Sequence, residues 1–103
     1  MAKIVKISKE EANRRLGGVP DDKRFWCQDG KVVKNLKELE EALNNMSDET
    51  FRYHSVEDKN DFSNWVKDVV GDTALANQLK GVMTSTAAAR KVEARITWLN
   101  ARL

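Results

Sequence analysis

Phe62, Trp65, Val66 and Val69 stand at i, i+3, i+4 and i+7, a spacing that lines one side of an α-helix and matches neither face of a strand. Two aromatic rings and two valines on one stripe are too much apolar surface to leave in water, so this helix requires other elements to cover it. Its ends are marked by short polar residues. Ser55 with Asp58, or Asn60 with Asp61, can accept the unbonded N–H groups of a first turn, which leaves two starts open. Gly71 follows the last apolar position, where a left-handed residue closes a helix, and Asp72 is placed to cap the next helix at once. The chain is therefore expected to turn a tight corner there.

Shorter segments flank this helix. Lys3 to Ser8, with Ile4, Val5 and Ile7, suits a short strand, and Ser8 with Glu11 opens a short helix carrying Ala12 and Leu16 that Gly17-Gly18 and Pro20 end. Arg24 to Cys27 and Lys31 to Val33 are β-prone and flank Asp29-Gly30, the dipeptide of a type I′ hairpin turn. That turn would set Cys27 opposite Val32 and Trp26 opposite Val33. Asn35 with Glu38 starts a helix striped by Leu36, Leu39, Leu43 and Met46, with Lys37, Glu40 and Glu41 outward. Ser47 begins a further short helix anchored by Phe51 and ending at His54. After the corner, a helix with Leu75 and Leu79 on one side runs to Gly81. Thr84 or Ser85 caps the last helix, whose apolar face is Ala88, Ala89, Val92, Ile96, Leu99 and Leu103. The expected fold class is mainly α (α+β), a compact multi-helix domain with a small N-terminal β-hairpin or short antiparallel sheet. It spans residues 1–103 as one helical domain, with the strand and short helix of residues 1–23 loosely attached.

Length and composition agree with that reading, since 103 residues with 41% apolar side chains suit one core and not two. No apolar run approaches the roughly 18 residues of a membrane span, and Met1 to Ser8 has charges too early for a signal peptide. The single Cys27 excludes an internal disulfide and a multi-cysteine metal site, and it fits core filling in a reducing compartment. The expectation is a cytoplasmic protein with no membrane association. Residues 1–34 carry nine Lys/Arg against five Asp/Glu, residues 35–72 four against ten, and residues 73–103 five against one. An acidic middle between basic ends is self-neutralising on folding, which places the cations against the carboxylates rather than against a nucleic acid.

One ordered series of short motifs points further. Phe25-Trp26-Cys27 with Asp29-Gly30, Asn35-Leu36 to Leu39, Phe51-Arg52-Tyr53-His54, Asn60-Asp61-Phe62 to Trp65-Val66, and Gly71-Asp72 with Leu75-Ala76 follow one another along the chain. Over about residues 24–102 this series resembles a small family of uncharacterised archaeal and bacterial domains of unknown function. The resemblance implies a mainly helical fold with a small β element, and it carries no activity to any position. Fusion of some members to larger proteins, as the resemblance implies, suits an interaction module. Ser55 departs from the pattern, which favours a branched apolar residue there, and residues 1–23 lie outside it.

Familiar chemistry is absent. The chain has no glycine-rich phosphate loop ending in Lys-Ser/Thr, no His-Glu-x-x-His pair and no Gly-x-Ser-x-Gly elbow. His54 with Asp58 and Asp61 offers one nitrogen and two oxygens, a poor metal set, so neither a metal nor a cofactor is expected. The same trio could serve as an acid/base site, but nothing nearby supplies a nucleophile or an oxyanion donor. The favoured reading of His54, Asp58, Asp61 and Trp65 is a structural joint between the short helix and the Phe62 helix, with His54 held by a carboxylate or a free backbone carbonyl. On the last helix Trp98 shares a side with Lys91, Arg95 and Arg102, whose stems and cations can cover an indole. These four form the candidate partner or nucleic-acid surface. The functional expectation is a non-enzymatic protein-interaction or regulatory module. The alternative is a nucleic-acid-binding domain acting through the basic last helix, and a small acid/base enzyme at His54 comes third.

Overall fold

The computed structural model describes residues 7–56 and 59–103. Of the strand expected over Lys3 to Ser8, residues 3–6 lie outside the described residues. The elements run α1 (Lys9–Leu16), a 3-10 turn (Asp21–Lys23), β1 (Phe25–Trp26), β2 (Val32–Val33), α2 (Leu36–Asn45) and α3 (Asp48–His54). Then follow β3 (Ser55–Val56), β4 (Lys59–Asn60), α4 (Asp61–Trp65) continuing into a wide turn (Val66–Val70), α5 (Thr73–Lys80) and α6 (Ser85–Asn100). The fold is mainly α with a small β element, as the residue pattern predicts.

All six helices among the described residues begin with the same device. Ser8, Asn35, Ser47, Asn60, Asp72 and Thr84 each accept, through a side-chain oxygen, the backbone N–H three residues on. Each such cap is worth about 1 kcal/mol over alanine. The cap at Asn60 decides between the two starts of the Phe62 helix. Ser55 instead donates its hydroxyl back to the Phe51 carbonyl at 2.7 Å, and its backbone pairs with Asn60 across the β3–β4 hairpin.

Two details of register depart from expectation. The β1–β2 hairpin pairs Phe25 with Val33 and Trp26 with Val32, one residue away from the I′ register. A I′ turn needs positive φ at two residues, and here only Gly30 has it, at φ +94. Asp29 stays in the ordinary region and accepts the Lys31 N–H at 3.0 Å. A three-residue loop, Gln28 to Gly30, results, closed by Gly30 N–H donating to the Cys27 carbonyl and Cys27 N–H to that of Lys31. In the central helix, the N–H groups of Gly71 and Asp72 both reach the Val66 carbonyl, five and six residues back, at 2.8 and 3.1 Å. The widened turn rotates Val70 into the core position that 3.6-residue spacing assigns to Val69, which is half-buried. Gly71, at φ +82, closes the turn in the left-handed region.

The core is built chiefly where α2 packs along α6, with α1 against both and α4 against α5. Leu36, Leu39 and Leu43 meet Val92 and Leu99 in this fully buried cluster, and Ala12 of α1 joins it. Burying one such leucine contributes about 2 kcal/mol. Glu40, expected outward, is buried with its carboxylate 3.5 Å from Lys37. Leu103 is exposed because the helix ends at Asn100, three residues short of it.

Asp72 ties these layers together. It is fully buried, its Oδ1 accepts the Leu75 N–H at 3.1 Å, and its Oδ2 accepts the Arg95 Nε–H at 2.7 Å with Arg15 Nη1 3.4 Å away. Arg14 on α1 donates to the Val70 carbonyl at 3.1 Å, and Glu11 accepts from both Arg14 and Arg15. The guanidinium of Arg14, then that of Arg15, holds the Glu11 carboxyl at about 2, down from 4.5.

Asp72→Ala should cost about 3–5 kcal/mol in urea unfolding, because the largely buried Arg95 guanidinium loses its carboxylate, while Arg15 keeps Glu11. Asp72→Asn, which retains an oxygen for the Leu75 cap, should recover about 1 kcal/mol of that. Glu11 gives a pH signature. Its depressed folded pKa makes its stabilising contribution complete above about 4.5 and lost as pH falls towards about 2. The stability gap between the parent and Glu11→Gln, about 1 kcal/mol at neutral pH, should therefore close over that acid window.

Candidate functional site

His54 is the last residue of α3, and its position there follows from the Ser47 cap and the seven-residue length of the helix. Its ring is 5% exposed, with ring centroids of Phe25, Phe62 and Tyr53 at 5.1, 5.3 and 5.0 Å. Nε2 lies 2.9 Å from the backbone nitrogen of Gln28, in the β1–β2 loop. A backbone N–H can only donate, so Nε2 must keep its lone pair and the ring proton must sit on Nδ1. Nδ1 is 3.1 Å from Asp61 Oδ2, the acceptor for that proton. One singly protonated imidazole thus bridges the β1–β2 loop, the end of α3 and the first turn of α4.

The same region holds Trp65, buried, with its indole N–H donating to the Lys23 carbonyl at 2.8 Å and its ring edge-on to Phe25. Phe62 stacks between Phe25 and Phe51 at 5.3 and 5.6 Å. Asp61 is partly exposed and 3.8 Å from the Lys59 ammonium. Asp58 lies outside the described residues. Chemically, both nitrogens of His54 are occupied, and a general base at Nε2 would have to give up the Gln28 N–H. Among the described residues no group of three or more His, Cys, Asp or Glu side chains is placed to hold a metal. Burial, reinforced by the Asp29 carboxylate, pushes the Cys27 thiol up to about 11, so it is a protonated core side chain at neutral pH.

The four residues singled out on the last helix have separate fates. Arg95 is committed to Asp72, and its guanidinium carbon also lies 4.0 Å from the centroid of the Trp98 ring. Arg102 lies 3.6 Å from the same centroid and donates to the Trp98 carbonyl at 2.8 Å. Trp98 is half-buried against the core beneath these cations, while Lys91 is exposed.

A third place was not singled out by the sequence. A cleft of about 850 Å³ opens between the end of α3, the β3–β4 hairpin, the start of α4 and the α5–α6 loop. Its walls include Val56 and Met83, 53% and 86% exposed, with half-buried Val82 beside them. Arg52, Lys59 and Lys80 are its cations, and none of its described lining residues is acidic. Sequence reading misses it because Val56 and the Val82-Met83 pair stand in polar runs, where no periodicity flags them. A hairpin with two-residue strands likewise shows no alternation.

The two nitrogens of His54 can be tested separately. His54→Ala loses both hydrogen bonds and the ring packing, and should destabilise by about 2–4 kcal/mol. His54→Gln can still accept from Gln28, and His54→Asn can still donate to Asp61, so each should recover about 1 kcal/mol in denaturant unfolding.

No curated protein and no solved structure matches the chain. A family model does, and it covers residues 21–99, from the 3-10 turn to the penultimate residue of α6. It includes the His54 joint, the Asp72 corner and the cleft. The chain belongs to the family of unknown function DUF5752.

Proposed function

We propose that this protein is a non-enzymatic interaction module of the cytoplasm, and that it contacts a protein partner at the cleft between the β3–β4 hairpin and the α5–α6 loop. The observation that carries this reading is the combination of exposed Val56 and Met83 with the cations Arg52, Lys59 and Lys80 in one concave surface. Exposed apolar side chains gathered in a concavity mark contact surfaces, whereas scattered ones do not.

The nucleic-acid reading through α6 has less support. Phosphate binding needs free cations, and the guanidiniums of Arg95 and Arg102 are engaged by Asp72, Trp98 and the Trp98 carbonyl. Of the four candidate residues exposed Lys91 is left, with exposed Arg90 beside it, a small electrostatic footprint.

Replacing Met83 with the photo-crosslinking residue benzoylphenylalanine, in the cells that make the protein, tests the reading. A defined protein adduct is expected from position 83 and not from the exposed Lys37 position on α2. The adduct should persist when the captured protein and this chain are mixed in purified form. Crosslinks to nucleic acid, or equal adducts from both positions, would reject the cleft as a protein-contact surface.

A further inference from the structure

We infer that the seat of α1 is a receptor site for an arginine-bearing helix, and that α1 is a resident ligand which a helix of the same chemistry on a partner protein displaces. α1 ends at Leu16, ahead of the residues 21–99 that match the family, and Gly17-Gly18 joins it to the body of the chain. The seat falls inside those residues. It consists of the α2 and α6 surfaces against which Ala12 is buried, the Val70 carbonyl and the Asp72 carboxylate.

Burial, charge and packing each make α1 separable. Ala12 is its one fully buried side chain, with Leu16 half-buried, whereas α2 buries Leu36, Leu39, Ala42 and Leu43. The polar contacts come apart without stranding a charge. Glu11 pairs with Arg14 and Arg15 on α1 itself, and Asp72 keeps Arg95 and the Leu75 N–H when α1 leaves. Beside the glycine link, a cavity of about 130 Å³ is lined by Arg14 and Arg15 on one side and Val69 and Val70 on the other, so this contact lacks the close packing of a core.

The chemistry that the seat selects is the chemistry α1 displays in it. The Val70 carbonyl and Asp72 Oδ2 can only accept, and they take the adjacent residues Arg14 and Arg15 at 3.1 and 3.4 Å. Ala12 stands one turn before Arg15, so a small residue lies flat against α2 and α6 where the arginines reach the corner. Arg14 uses Nε and Nη2 on Glu11 and Nη1 on Val70, a fork that the single ammonium of lysine does not reproduce. The displacing helix therefore carries a small residue followed, two and three positions on, by arginines.

The test begins on the intact chain. In native-state hydrogen exchange the amides of Ala12 to Leu16 should exchange through an opening that leaves α2 and α6 protected. If they exchange only together with those of α2 and α6, the inference is overturned. A protease site inserted between Gly17 and Gly18 then cuts the link with no residue removed. After cleavage, a fluorescent peptide of residues 1–17 should exchange into the seat. Its Arg15→Ala form should bind about tenfold more weakly, the loss of one partly buried charged contact, and its Lys9→Ala form should bind as the parent does, since Lys9 is exposed. A helical alanine-glutamine peptide that keeps only Glu11, Ala12, Arg14 and Arg15 in register should compete, and the same peptide with Arg14→Gln and Arg15→Gln should not. Equal competition by both peptides would overturn the arginine chemistry. A cut chain that unfolds, or one that holds its own segment and takes up no peptide, would make α1 a fixed part of the core and overturn the receptor site. The seat shares no residue with the cleft, so either surface can fail alone.

Discussion

A carboxylate with no access to water sits where four elements meet, and both of its oxygens are spoken for. Asp72 caps α5 with one and holds Arg95 of α6 and Arg15 of α1 with the other, directly after Gly71 has ended the central helix. Taking this charge out of water costs several kcal/mol, and the two guanidiniums with the Leu75 N–H offset most of that cost without leaving a large surplus. The consequence is geometric more than energetic. Any other angle at the corner would leave a buried anion without one of its donors, so the directions of α5, α6 and α1 are fixed together. Arg14 adds the Val70 carbonyl, freed by the widening of the last turn, and Gly71 has no side chain to obstruct it: a Cβ there would come within 2.9 Å of that guanidinium.

His54 solves the same problem against the aromatic rings of Phe25 and Phe62, with a neutral group. It satisfies the Gln28 N–H in the hairpin loop and donates to Asp61 at the head of α4. Beside it Phe25, Phe51, Phe62 and Trp65 pack ring on ring, non-directional in energy but edge-specific in geometry. The polar groups therefore set orientation, and the rings with the α2–α6 seam supply most of the burial.

Local signals in the sequence carried much of this. Each helix start is readable because the cap is a short polar side chain with its acceptor three residues from an N–H, and every one of the six predicted cap positions, with the choice at Asn60 and Thr84, is used. The Gly71-Asp72 corner is readable for the same reason. The charge pattern is also legible in part: Asp72 of the acidic middle is matched by Arg15 and Arg95 of the two basic ends. What is not local was not legible. Whether Asp29 takes positive φ depends on a fraction of a kcal/mol between turn types, and the hairpin register follows from it. That Arg95 turns inward to Asp72, and does not face solvent with Lys91, depends on a contact 23 residues away that spacing on one helix cannot reveal. His54 is legible as a candidate joint because it is the lone histidine beside carboxylates, but its contact with the Gln28 N–H is to a backbone group and leaves no mark in a side-chain pattern.

The distribution of charge separates what holds the fold from what remains for function. Arg15 and Arg95 are largely buried, and removing Asp72 would strand Arg95 and leave Arg15 with Glu11 alone, so their identities are set by folding. Arg52 and Lys80 are exposed on a concave surface, and no carboxylate among the described residues meets them. The elements that carry them are nevertheless fixed by the two joints: α3 ends at His54, the β3–β4 hairpin closes on Asn60, and Asn60 itself reaches the Leu79 carbonyl at the end of α5 with its amide at 3.2 Å. The exposed side chains of Arg52 and Lys80 can thus change without disturbing a buried partner among the described residues, whereas Phe51, Asn60 and Ser63 in the same wall cannot. At the exposed positions of that wall the fold imposes little, since surface substitutions away from such contacts usually change stability by less than about 0.5 kcal/mol.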